Sequence, residues 1–146
     1  MRIWNRTTPA LVVLAMACAD FNSPTDPTGG APDILVANPS FENDVQPILT
    51  KRCAMGGCHS FVTEQGELSL VAGSAYDNLV NVVSSQEELF VRVRPFRPDS
   101  SWLYRLIASD PAGRVGYPRM PLSSVPLTSN QIGTIVNWIM QGAARN

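Results

Sequence analysis

Cys53-Ala54-Met55-Gly56-Gly57-Cys58-His59 gathers two of the chain's three cysteines and its only histidine into one short stretch. Two thiols with an adjoining imidazole can do three kinds of chemistry. The thiols can add to the vinyl groups of a porphyrin while the imidazole ligates iron, which is how Cys-x-x-Cys-His is read. Here four residues separate the cysteines instead of two, and Gly56-Gly57 supplies the backbone freedom to loop out the extra pair. Alternatively, Cys53 and Cys58 could close a disulfide in an exported protein. With His59 they could also supply three ligands of a zinc site, which would then lack the usual fourth.

A porphyrin iron held by His59 needs a ligand on its other face, and no second histidine exists. Of the five methionines, Met1 and Met16 precede Cys18, Met55 lies inside the attachment loop, and Met140 falls near a buried helical stripe. Met120 remains. It sits in Gly116-Tyr117-Pro118-Arg119-Met120-Pro121-Leu122, where the two prolines stiffen the backbone and disfavour helix. The alternative is Met120 as an apolar gap-filler. Haem propionates need charge-assisted donors if buried, and Arg119 is the candidate among Arg92, Arg94, Arg97, Arg114 and Arg119. Arg92, Arg94 and Arg97 read instead as a solvated face, or as a basic patch guiding an acidic redox partner.

The 146 residues carry a net charge of −1, so there is no polybasic footprint to favour nucleic acid. Arg2 and Arg6 precede the apolar run 10–17, which ends on Cys18. The run is too short to span a bilayer and fits an export signal. It resembles a bacterial lipoprotein signal, with Cys18 the lipidated residue; plain secretion and an uncleaved anchor are the alternatives. Each outcome places the chain outside the cytoplasm, in the periplasm or on the cell surface. Residues 19–39 are rich in Pro, Gly, Ser and Thr and read as a flexible linker.

From residue 40 onward, helical spacing dominates. Phe41, Val45, Ile48 and Leu49 predict a helix from about Val45 toward Cys53, with Asp44 as its cap and Pro47 in its first turn. Ser74 and Asp77 suggest a capped start for a stripe of Tyr76, Leu79, Val80 and Val83. Asp99 or Ser100 can cap a short helix carrying Trp102, Leu103, Leu106 and Ile107. Thr128-Ser129-Asn130 opens the last helix, whose stripe is Ile132, Ile135, Val136 and Ile139 and whose end suits Gly142. Leu89 to Arg94 alternates weakly, like a strand. The expected fold is all-α, a small helical domain with long loops over 40–146.

Val45-Gln46-Pro47-Ile48-Leu49, then Cys-x4-Cys-His, Ser100-Ser101-Trp102-Leu103-Tyr104, Arg119-Met120-Pro121, and Asn137-Trp138-Ile139-Met140-Gln141-Gly142-Ala143 occur in that order. Together they resemble a monohaem class I cytochrome c domain of exported bacterial proteins. The resemblance implies crossing N- and C-terminal helices and one covalent haem c. Cys53 and Cys58 would form its thioethers, with His59 as proximal and Met120 as distal iron ligand. Leu68, Leu70, Leu79, Trp102, Leu103, Leu106 and Ile135 would pack around the ring, or read simply as core, and Trp138 would pack at the helix crossing. The implied role is electron carrier, not enzyme, with other redox proteins as partners and the membrane reached through the N-terminal lipid. A haem protein with an open or labile sixth position, or a disulfide-containing interaction lipoprotein, are the competing readings.

Overall fold

Ser40 sets the start of the first helix, one turn earlier than the spacing suggests. The computed structural model describes residues 30–108, 117–122 and 125–146. Ser40 is extended; its Oγ accepts from the Asn43 N–H at 3.1 Å, and Asp44 Oδ2 accepts from the Ser40 N–H at 2.7 Å. Asp44 therefore supports the cap and is not itself the cap. A wide turn, Phe41–Val45, leads directly into α1, Gln46–Arg52. Pro47 has no N–H to give and its ring crowds the preceding turn, so a widened turn ahead of it relieves the conflict.

The middle elements are short. Helix α2 covers Ala75–Leu79, a 3-10 turn covers Pro98–Ser100, and α3 covers Trp102–Ile107. No side-chain cap forms at Ser74. The expected stripe is cut before Val83, which is exposed, because Asn81 adopts φ +60° and donates its N–H to the Val93 carbonyl. Ser101 precedes α3 in place of Asp99 or Ser100, and its Oγ is 2.9 Å from both the Arg94 N–H nitrogen and the Arg97 carbonyl. Leu89 to Arg94 forms no strand. Only isolated bridges occur there, Val80 to Val93, Val83 to Val91 and Val91 to Ser101, since each contact reaches a different partner and none propagates.

Helix α4, Ser129–Met140, begins with a reciprocal cap: Thr128 Oγ1 accepts from the Gln131 N–H, and Gln131 Oε1 accepts from the Thr128 N–H. Ile135, Trp138 and Ile139 are fully buried on its inner side. Trp138 meets Phe41 at 5.1 Å between ring centroids and Tyr76 at 6.4 Å, so the first and last helices pack together. Among the described residues the architecture is helical without strands, and no helix is long and apolar enough to cross a membrane.

The linker expected over 19–39 extends too far. Residues 31–37 lie as an extended strap along α4, held by its polar side chains. Thr134 Oγ1 donates to the Ile34 carbonyl and accepts from the Val36 N–H; Asn137 and Gln141 donate to the carbonyls of Val36 and Ala37. Gly133 lets Leu35 come close, since a Cβ there would stand 2.7 Å from Leu35 Cδ1.

At the far end of α4, Gly142 has φ +103° and a Cβ would meet Phe96 Cζ at 2.7 Å. Gly142→Ala is expected to destabilise the domain by about 1 kcal/mol or more, read as a lower urea midpoint at unchanged slope.

Candidate functional site

Cys53 follows the last residue of α1 and still donates its N–H to the Leu49 carbonyl at 2.9 Å. From there the chain turns back on itself. Cys58 N–H donates to the Met55 carbonyl, His59 N–H to the Cys53 carbonyl and Leu70 N–H to the His59 carbonyl, at 3.0, 3.1 and 2.8 Å. The extra pair is accommodated at Gly57, whose φ is +86° and whose N–H donates to Thr63 Oγ1. Both thiols are free, Cys53 buried and Cys58 half-buried.

The His59 ring is held by its own fold neighbour. Nδ1 lies 3.2 Å from the Leu68 carbonyl and can only donate to it, which leaves the Nε2 lone pair for a metal. Burial pulls the imidazole pKa below its ordinary value, although bonds to the Leu68 and Gln65 backbone act the other way. The shift favours the neutral imidazole, the form a metal ligand takes.

Burial pushes the Cys53 thiol up to about 12, opposed by the charge of Arg52 beside it. In haem-free protein, iodoacetamide is expected to modify Cys58 well before Cys53, with peptide mass mapping as the readout; equal rates would contradict the difference in burial.

A cavity of about 340 Å³ opens beside this loop, with Cys53, Cys58 and His59 on its wall together with Met120 and Pro121. Its volume falls in the range of small-molecule and cofactor sites. Leu68, Leu70, Leu79, Trp102, Leu103 and Leu106 line it, as the sequence suggests. Ile135 does not, being spent in the core, and Ile107 lines the wall instead. Met120 is half-buried, packed against the core, and its N–H donates to the Leu106 carbonyl at 2.8 Å. Met140 is exposed on α4 and Met55 is exposed on the loop.

The arginines are placed differently from the expectation. Arg52 and Arg92 are on the cavity wall; Arg119, beside Met120, is half-buried off it, with its Nε buried and without a hydrogen-bond partner among the described residues. Arg92 is no solvated residue: it is buried and donates to the carbonyls of Asn78, Gly66 and Glu67. Arg94 and Arg97 are exposed, the latter 3.6 Å from Asp99. Arg114 and Cys18 lie outside the described residues. Arg52 escaped the sequence reading, although it stands directly before the first cysteine. Trp102 was legible as an apolar wall residue, but its indole N–H is a second feature: a buried donor that needs an acceptor.

Those donors test what the cavity fits. Arg52 Nε and Trp102 Nε1 are buried on residues of the wall and have no hydrogen-bond partner among the described residues. An apolar slot with two thiols, an imidazole nitrogen, a thioether and unused donors suits a flat apolar metal macrocycle that carries acidic groups. Zinc suits it less. Among the described residues no three His, Cys, Asp or Glu side chains converge to hold a metal ion. Set against family models, curated proteins and solved structures, the chain matches none of them.

Proposed function

We propose that the domain is an electron carrier of the class I cytochrome c kind, exported and anchored through a lipid on Cys18. The observation that supports it most is the meeting of Met120, from a distant part of the chain, with Cys53, Cys58 and His59 on one apolar cavity. A bound haem c would supply a one-electron iron couple. Cys53 and Cys58 would hold it through thioethers. His59 presents Nε2 while its Nδ1–H is engaged by Leu68, so the ring cannot rotate away. Met120 provides a thioether sulfur on a loop whose backbone is fastened to α3 through Leu106. Iron held by both His59 and Met120 would exchange electrons rather than bind a substrate, which suits a carrier that serves other redox proteins.

One optical spectrum tests the reading, taken on full-length protein produced with cytochrome c maturation factors. Covalently bound, six-coordinate low-spin haem is expected. Met120→Ala is expected to convert it to a high-spin form. Absence of covalent haem overturns the reading and favours a disulfide-containing lipoprotein. A spectrum indifferent to Met120→Ala favours a different sixth ligand or an open position.

A further inference from the structure

We infer that Arg92 and Asn78 are positioning residues for His59: together they bracket the Leu68 carbonyl that holds the imidazole, and so tune the nitrogen it presents to the cavity. The inference deepens the haem reading and rests on it. His59 Nδ1 lies 3.2 Å from the Leu68 carbonyl, so whatever fixes residues 66–70 fixes the ring. On one side of Leu68, Arg92 Nη2 donates to the carbonyls of Gly66 and Glu67 at 3.2 and 3.1 Å. On the other side, Asn78 Nδ2 donates to the Ser69 carbonyl at 2.9 Å. The two arms are joined, since Arg92 Nη1 donates to the backbone carbonyl of Asn78 at 2.9 Å. Leu70 then returns the segment to His59 itself, its N–H donating to the His59 carbonyl at 2.8 Å.

The turn ahead of Leu68 needs such holding. Glu64, Gly66 and Glu67 have φ of +42°, +67° and +54°, a left-handed region that suits only the glycine among them. Backbone of that kind persists where its surroundings over-determine it. Arg92 is 7% exposed, and its planar fork reaches carbonyls on two separate segments at once, which a single ammonium does not reproduce. Burying a guanidinium is costly, and three accepted bonds on the frame of the His59 anchor are what offsets the cost here.

A well-aligned bond from Nδ1–H to a carbonyl raises the basicity of the ligating nitrogen, and a more basic ligand favours ferric over ferrous iron. Loosening the bracket is therefore expected to raise the reduction potential. Removing a nearby cation acts the other way, because ferric iron carries one more positive charge, so the test uses variants that leave the charge alone. In haem-loaded full-length protein, Arg92→Lys keeps the charge and loses the fork, while Asn78→Ala removes only the bond to Ser69. Both are expected to raise the potential and to move the g-values of the ferric electron paramagnetic resonance spectrum. A residue that merely supported the fold would lower the urea midpoint and move neither. Should Arg92→Lys fail to mature, Asn78→Ala decides alone. A potential at or below that of wild type, or g-values that do not move, overturns this inference and leaves the functional reading standing. Wild-type protein that lacks covalent haem overturns both together.

Discussion

If the domain carries haem c as proposed, replacing His59 with alanine is expected to abolish its low-spin spectrum and electron transfer with it. The chain has no other histidine, so no second imidazole can take the vacated position. Cys53 and Cys58 are untouched by the change, so covalent attachment can persist and the loss is confined to the proximal face. What replaces the ring is a gap beside the Leu68 carbonyl, which had fixed the imidazole through Nδ1. Added imidazole should enter this gap and restore a six-coordinate spectrum in part. Optical and electron paramagnetic resonance spectra of the purified variant, with and without imidazole, check the result. An unchanged low-spin spectrum in His59→Ala would show that the iron ligand lies elsewhere.

Trp138→Ala is expected to cost about 3–5 kcal/mol, a large part of the stability of a domain this size. The side chain is 1% exposed and sits where α4 meets the first helix. It contacts the rings of Phe41 and Tyr76, and its Nε1–H donates to the Ala144 carbonyl at 2.9 Å. Truncation opens a cavity at the helix contact and leaves that carbonyl without its donor. Thermal and urea unfolding followed by circular dichroism measure the effect. Trp138→Phe keeps most of the volume and is expected to recover over half of the loss.

The parts of this protein that were legible in sequence are those fixed by local rules. Of the α4 stripe read from its period, Ile135 and Ile139 are buried while Ile132 and Val136 are half-buried. Trp138, placed at the helix crossing by the resemblance, takes the core beside them, and the Cys53 to His59 cluster follows from residue type alone. Met120 could be chosen by elimination among five methionines. Which arginine lines the cavity depends on tertiary placement, which residue type does not give. Arg52 does reach it, from a helix end whose direction the sequence leaves open. The same holds for Val83: its spacing fits the α2 stripe, but Asn81 in a left-handed turn takes it out. The Leu89 to Arg94 segment alternates like a strand, yet finds no single long partner to pair with.

The polar stripe of α4 made by Gln131, Thr134, Asn137 and Gln141 also fixes a length. By gripping residues 31–37, it moves the start of the packed chain from residue 40 to about Ala31. Were Cys18 lipidated, the chain between lipid and domain could stretch at most about 45 Å, at 3.3–3.6 Å per residue. An electron carrier tethered in this way would patrol a thin layer above its membrane, and its encounters would be a two-dimensional search. Donors and acceptors that serve it would have to present their own redox centres within that layer.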